Sequence, residues 1–129
     1  MVAYGVYVRQ RLNISSGSDF EVAYGYSRAV RVGDHIHVAG TTAPGEDAYE
    51  QARSAIAVIE AALGEAGASL ADVVRTVTYV TDIADTELVG RAHQEAFGEI
   101  RPAATLVAVS ALVHPSLRVE IEAYAVVSS

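Results

Sequence analysis

Two histidines separated by one residue, His35 and His37, could bind a ligand together. Side chains at this spacing share one face of a β-strand, and imidazole pairs occur in metal sites. No third ligand can be identified for them, so we do not predict a metal site. The sequence contains no cysteine, which excludes thiol catalysis and cysteine-ligated zinc. Neither a glycine-rich phosphate loop nor a Ser-His-Asp arrangement can be recognised.

Amino-acid composition excludes several further classes of protein. The 129 residues suit one domain, and 51% hydrophobic with 19% charged residues argues against disorder. The net charge is -7 and the nine basic residues, all arginines, are scattered, so we do not expect nucleic-acid binding. No apolar run reaches the roughly 18–20 residues that span a membrane. Met1–Arg11 lacks the apolar part of a secretory signal, so we expect a cytoplasmic protein.

The N-terminal third contains a predicted hairpin. We interpret residues 1–20 as an N-terminal extension in which Val2–Val8 could form a short edge strand. Alternating apolar residues then predict strands over Ser27–Val32 and His35–Ala39. Gly33-Asp34 between them is a hairpin signal.

Two helices are predicted from apolar residues spaced three and four apart. Asp47 is expected to cap the first, and Gly67 to end it. Its buried stripe consists of Ala52, Ala55, Ile56, Ile59, Ala62, Leu63 and Ala66. Asp85 is expected to cap the second helix. Its buried side consists of Leu88, Val89, Ala92, Ala96 and Phe97.

Strands over Val73–Thr81, Thr105–Val109 and Arg118–Val127 complete an α+β layer fold with both helices on one face of a mixed sheet. In the last strand, one face is apolar. The other carries Glu120, Glu122, Tyr124 and Val126. This half-polar face predicts that another subunit covers it.

The order and spacing of six segments carry a family resemblance over about a hundred residues. The segments are Gly25–Ala29, Val38–Thr41, Gln51–Arg53, Val73–Asp82, Arg101–Thr105 and Val119–Ala123. Together they resemble the Rid family (YjgF/RidA, often called endoribonuclease L-PSP). The resemblance implies one chorismate-mutase-like domain over residues 1–129 that forms a homotrimer with ligand pockets between subunits. It also implies hydrolysis of small imines or enamines to a keto acid and ammonia, without a cofactor.

The resemblance also identifies a departure at position 104. Deaminase members of the family read Pro-Ala-Arg-Ser/Thr, and that arginine binds the substrate carboxylate; here the residue is Ala104. Losing such a charge-assisted contact costs roughly 1.5–3 kcal/mol, about 10- to 150-fold in binding. Ala104 therefore indicates a changed substrate or lost deaminase activity, unless it is simply a small strand residue in this chain.

Other arginines could supply the missing cation. We rank Arg28 first and Arg91 second, because they match pocket positions of the family, and Arg101 precedes the signature proline. The alternative for each is a solvated surface arginine.

The remaining pocket residues follow from the same resemblance. Glu120 matches a glutamate that orients or activates the hydrolytic water, Tyr26 matches the pocket tyrosine, and Thr105 could hydrogen-bond a ligand. Glu120 could instead pair with an arginine across an interface, and Thr105 could be a plain strand residue. We therefore expect a trimer that binds a small molecule, for example a carboxylate, as an imine or enamine hydrolase or tautomerase. The alternative is a non-catalytic binding trimer, and an endoribonuclease fits the charge poorly.

Overall fold

The computed structural model describes residues 10–128, which form six strands and three α-helices. The strands are β1 (Arg11–Ile14), β2 (Ala29–Val32), β3 (His35–Thr41), β4 (Val73–Val80), β5 (Ala103–Ala108) and β6 (Val119–Val126). The helices are α1 (Asp19–Tyr24), α2 (Ala48–Glu65) and α3 (Thr86–Phe97). Short 3₁₀ turns at Leu70–Asp72 and Ile83–Asp85 precede β4 and α3. The expected edge strand at Val2–Val8 lies outside the described residues.

The strands form one mixed sheet in the order β1-β2-β3-β6-β4-β5. Every neighbouring pair is antiparallel except β4 and β5, which run parallel because α3 carries the chain back between them. The predicted β2–β3 hairpin turns at Gly33, whose φ of 61° lies in the left-handed region that glycine adopts without steric cost. Strand β6, although last in the sequence, lies in the interior of the sheet.

Two helices cover one face of this sheet, as predicted. Helix α2 packs on β3, β6 and α3, and it buries the predicted stripe of small and branched apolar residues. Asp47 caps α2 by accepting a hydrogen bond from the Glu50 amide, and Gly67 follows its end with a φ of 84°. None of the helices within residues 10–128 is long and apolar enough to cross a membrane. The α+β fold with two helices on one face is confirmed.

The described part of the interpreted N-terminal extension contains an edge strand and the start of a helix, neither of which was predicted at these positions. Strand β1 pairs antiparallel with β2, and α1 begins directly after Ser18. Four residues are too few for an alternating pattern to reveal a strand, and its pairing partner lies elsewhere in the chain. The helix did have a signal, because Ser18 and Glu21 stand at capping-box spacing. Ser18 accepts a hydrogen bond from the Phe20 amide.

The prediction that Asp85 caps α3 was right about its position and wrong about its hydrogen bond. Asp85 precedes the helix, but its side chain caps no backbone amide. Its carboxylate instead accepts two hydrogen bonds from the Arg118 guanidinium, at 3.1 and 3.2 Å. Asp82 caps the 3₁₀ turn before α3 instead, because its carboxylate accepts a hydrogen bond from the Ala84 amide at 2.9 Å. The ion pair joins the start of α3 to the residue before β6.

Replacing Asp85 with alanine should therefore lower the free energy of unfolding by about 1–2 kcal/mol, because a buried carboxylate loses charged hydrogen bonds to a half-exposed arginine. Glu87→Ala, in the exposed first turn of α3, is the matched control and should change stability by less than about 0.5 kcal/mol. Urea titrations at one chain concentration measure both. Equal losses would contradict a specific role for the ion pair.

Candidate functional site

A buried arginine links β2 to an irregular part of β3. Arg28 is 8% exposed, and its Nη1 donates to the Gly40 carbonyl at 2.9 Å and to Thr41 Oγ1 at 2.8 Å. The pairing of β3 with β6 shifts register between Val38 and Thr41, which brings the Gly40 carbonyl out of the regular ladder. Arg28 therefore compensates for a break in the sheet.

Glu21 of α1 lies on the other side of the same guanidinium. Its Oε2 is 3.8 Å from Arg28 Nε, and the carboxylate accepts from the Ser16 amide at 3.2 Å. Burial acts to raise the pKa of Glu21, but hydrogen bonds from Ser16 and Ser15 and the charge of Arg28 hold it below its usual value. Within residues 10–128, Arg28 Nε has no hydrogen-bond acceptor. This pair attaches α1 to the site.

Glu120 extends from β6 on the sheet face opposite α2 and lies half-buried against Gly40. A Cβ atom at position 40 would collide with Glu120 Oε2, so the carboxylate can keep this orientation only beside glycine and would otherwise have to turn away. Burial raises the pKa of Glu120; the charge of Arg28 lowers it in part, and that of Glu122 raises it. A carboxyl group with a raised pKa is suited to proton exchange at physiological pH.

Tyr79 joins this group, although the sequence analysis did not identify it. It lies opposite Glu120 in the pairing of β4 with β6, and its hydroxyl donates to Glu122 Oε1 at 2.7 Å. The hydrogen bond to Glu122 raises the pKa of Tyr79, and burial adds to the effect. The sequence did carry a signal for this position, because Arg75, Val77 and Tyr79 alternate along β4 and so share one face of the strand.

A separate groove of about 560 Å³ lies between α3 and β5. Ala104 lines it on the helix side of β5, opposite Thr76 in the parallel pairing with β4. His93 of α3 also lines it and shares a 2.8 Å hydrogen bond through Nε2 with Thr76 Oγ1. Burial lowers the pKa of His93, so its imidazole is neutral at pH 7. The volume suits a small molecule.

The structure does not bring all predicted residues together. Tyr26 lies beside Arg28, whose Cζ is 5.6 Å from the centre of the tyrosine ring, and the charge of Arg28 reaches Glu120. Ala104 and Thr105 lie on edge strand β5, two strands away from Glu120. Ala104 also faces the opposite side of the sheet from Glu120. Within one chain the predicted site residues therefore form two separate groups, one around Glu120 and one on β5.

The alternative of a solvated surface position is wrong for Arg28, which is buried and bonded to the backbone. Arg91 is exposed, and its Cζ stacks 4.1 Å from the centre of the Tyr49 ring. Arg91 is absent from the residues lining the groove at Ala104. Tyr49 in turn donates to Glu95 at 2.6 Å.

The two histidines of β3 share a face, as predicted, on the side without helices. His35 hydrogen-bonds the Tyr124 hydroxyl, and the His37 ring lies 4.8 Å from the Tyr124 ring between centroids. A recess of about 300 Å³ lies beside His37 and Tyr124, bordered by Arg75 and Glu122. Among residues 10–128, no three His, Asp or Glu side chains are placed to hold a metal ion.

Comparison with known proteins agrees with this architecture. The family model described as Endoribonuclease L-PSP matches residues 17–127. A Mycobacterium tuberculosis protein of the YjgF/YER057c/UK114 family has a crystal structure with a TM-score of 0.90 and 58% identity. The likeness covers 92% of this chain and 100% of that one.

Two further relatives extend the comparison. A RutC family protein from Pyrococcus abyssi is 42% identical over 108 residues, covering 78% of this chain and 84% of its own. The crystal structure of Escherichia coli TdcF with bound serine has a TM-score of 0.74 and 26% identity, covering 80% of this chain and 88% of that one. The sheet order, the helix layer and these matches agree. The chain belongs to the Endoribonuclease L-PSP family, the YjgF/RutC group of proteins with a chorismate-mutase-like α+β fold.

Proposed function

We propose that this protein binds a small metabolite in a cleft between the subunits of a homotrimer, and that it hydrolyses or tautomerises an imine or enamine there. The observation that carries the proposal is Glu120, a half-buried carboxyl group with a raised pKa that lies against Gly40. Such a group can transfer protons without a metal or an organic cofactor. The charge of Arg28 acts on Glu120, Tyr26 lies beside Arg28, and Tyr79 is paired opposite Glu120 between β4 and β6.

The separation of Glu120 from Ala104 within one chain supports assembly with a second subunit. Glu120 lies on the sheet face without helices, whereas Ala104 lies on the helix side of edge strand β5. A small ligand cannot contact both positions of one chain, because two strand spacings of about 4.8 Å and the sheet itself separate them. A second copy that docks its β5 edge beside Glu120 would unite them. The half-polar sheet face gives such a copy a surface to cover.

The hydrolysis needs one group that moves a proton twice. Water attacks the imine carbon, a carbon–oxygen bond forms, and the electron pair of the C=N bond moves to nitrogen. Glu120 accepts the proton from water and delivers it to that nitrogen. Glu120 then takes the hydroxyl proton of the resulting carbinolamine and delivers it to the amino nitrogen, so the carbon–nitrogen bond breaks, ammonia leaves and a ketone remains. Tautomerisation of an enamine uses the same carboxyl group to move a proton between nitrogen and carbon.

Ala104 limits the choice of substrate. It provides no cation for a carboxylate, so we propose that classical 2-imino acid deamination is weak or lost. A non-catalytic trimer that only captures a metabolite is the second candidate, and the serine bound to TdcF favours small-molecule binding in the family. Endoribonuclease activity, which the family description names, is the least favoured, because a net charge of -7 opposes RNA binding.

Glu120→Gln should slow imine decay by about 10²-fold or more, because the amide keeps the shape but cannot exchange a proton. The substrate is the ketimine freshly generated from leucine by an amino-acid oxidase, and its disappearance is followed spectroscopically. Because Ala104 leaves the carboxylate of this substrate without a cation, the Glu120 substitution is compared in the Ala104→Arg background as well as in wild type. If Glu120 acts as the base, the wild-type rate should fall on acidification at a pH above the usual glutamate pKa. Glu60→Gln on the exposed side of α2 is the control and should match wild type. An unchanged rate in Glu120→Gln would refute the catalytic role.

Ala104→Arg should improve kcat/KM for 2-imino acids by about 10- to 150-fold, because a guanidinium can bind the substrate carboxylate with two hydrogen bonds. Ala104→Gln, similar in length but uncharged, separates charge from volume. An increase in kcat/KM for Ala104→Arg but not for Ala104→Gln would support a site that lacks only its cation. No gain in either variant, together with a metabolite that co-purifies with wild type, would favour the binding trimer.

The assembly is tested by mass. Light scattering during gel filtration should give about 41 kDa, three times the 13.6 kDa of one chain. The value should hold on tenfold dilution from micromolar concentration. A mass of one chain would remove the intersubunit site.

A further inference from the structure

The carboxylate of Glu122 lies between two polar neighbours on the sheet face without helices. Glu122 is paired with Val77 of β4, so Arg75 and Tyr79 are its diagonal neighbours in the two directions along that strand. Diagonal neighbours are roughly 7–8 Å apart, which long side chains can span. Glu122 accepts a hydrogen bond from the Tyr79 hydroxyl at 2.7 Å, and neither of the two ion pairs within residues 10–128 includes Glu122 or Arg75. The carboxylate therefore lies on the Tyr79 side of its position, although an arginine borders the same recess on the other side.

An arginine is ordinarily the stronger partner for a carboxylate. Hydrogen bonds between charged groups are roughly twice as strong as those between neutral groups. Because Glu122 bonds Tyr79 instead, its negative charge is not neutralised by Arg75, which is exposed. Tyr79 lies directly opposite Glu120 in the pairing of β4 with β6. The hydrogen bond thus keeps the charge of Glu122 on the side where Glu120 lies.

We propose that Tyr79 and Glu122 are positioning residues for Glu120: the Tyr79 hydroxyl holds the Glu122 carboxylate beside Glu120 and away from Arg75. A negative charge held there opposes ionisation of Glu120, so this acid keeps its proton to a higher pH. The inference rests on the proposed function for the use of that proton. The titration of Glu120 itself does not depend on turnover.

Titratable and charged groups face Glu120 directly or through Arg28. In the part of the chain that the structure describes, they are Arg28 before β2, Tyr79 on β4, Glu122 on β6, Tyr26 beside Arg28 and Glu21 on α1. Burial raises the pKa of Glu120, the charge of Arg28 lowers it, and the charge of Glu122 raises it. Arg28 is fixed by hydrogen bonds to Gly40 and Thr41, whereas the Tyr79 hydroxyl holds Glu122. Tyr79 is therefore the contact through which the proton affinity of Glu120 can change while the backbone stays in place.

Titration of the Glu120 carboxyl group in the full-length protein tests this directly. Its side-chain ¹³C resonance is followed across the acidic and neutral range and is assigned by its loss in Glu120→Gln. Glu122→Gln keeps the shape and removes the charge, so the midpoint should move to lower pH. Tyr79→Phe keeps the ring and frees Glu122 to pair with Arg75, so the midpoint should move in the same direction. In the double variant Tyr79→Phe/Glu122→Gln the midpoint should match that of Glu122→Gln, because Tyr79 acts through Glu122.

A second tyrosine–glutamate pair provides the matched control. The Tyr49 hydroxyl donates to Glu95 at 2.6 Å between α2 and α3. Tyr49→Phe and Glu95→Gln make the same chemical changes, and both should leave the Glu120 midpoint at its wild-type value. Adding Arg75→Gln to Tyr79→Phe removes the competing partner and should return the midpoint towards wild type.

The pH profile of imine decay gives the corresponding rate. In the Ala104→Arg background, Glu122→Gln should react about two- to fivefold faster than its parent below the parent's acid midpoint, when each rate is divided by its own plateau. A purely structural defect would lower the rate at every pH and leave the midpoint in place.

Several outcomes would overturn the inference. They are an unchanged or higher Glu120 midpoint in Glu122→Gln or Tyr79→Phe, an equal shift in the control variants, and no return when Arg75→Gln is added to Tyr79→Phe. Lower midpoints together with an unchanged rate in Glu120→Gln would support the positioning pair and reject catalysis by Glu120. Loss of rate in Glu120→Gln with unmoved midpoints in the Tyr79 and Glu122 variants would retain the proposed function and reject the pair.

Discussion

The alternation along β6 is the constraint on which the rest of the structure depends. Val119, Ile121 and the two alanines that follow are buried under α2, while the residues between them occupy the opposite face. A shift of one residue would move Glu120 and Glu122 into the core, and burying unpaired carboxylates there is costly. Because β6 pairs with both β3 and β4, its register also sets theirs. The position of Glu120 is thus a consequence of core formation.

Patterns within one segment predicted most of the fold. The stripe of α2 and the β2–β3 hairpin depend on neighbours a few residues apart, and both are confirmed. Strand β1 and the Asp85–Arg118 pair depend on partners far along the chain, and both were missed. An ion pair across 33 residues outcompeted the local cap, which a sequence pattern cannot show.

The same distinction applies to the site. The face of Glu120 followed from alternation, but the burial of Arg28 depends on an irregularity in β3 that no local signal indicates. Tyr79 was missed because its closeness to Glu120 requires the pairing of β4 with β6, which are separated in sequence by α3 and β5. The left-handed backbone of Arg101, whose φ is 57°, could not be predicted either, because this conformation is uncommon for residues other than glycine and asparagine.

Gly40 couples two positions that are eighty residues apart in the sequence. The carboxylate of Glu120 occupies the volume that any side chain at position 40 would need. A side chain at position 40 would therefore require the Glu120 carboxylate to turn away, or a shorter acid at position 120. The glycine thus sets where the carboxylate of Glu120 can lie. A relative that keeps the glycine but has lost the glutamate has space there for a ligand or a water molecule where this protein has its carboxylate.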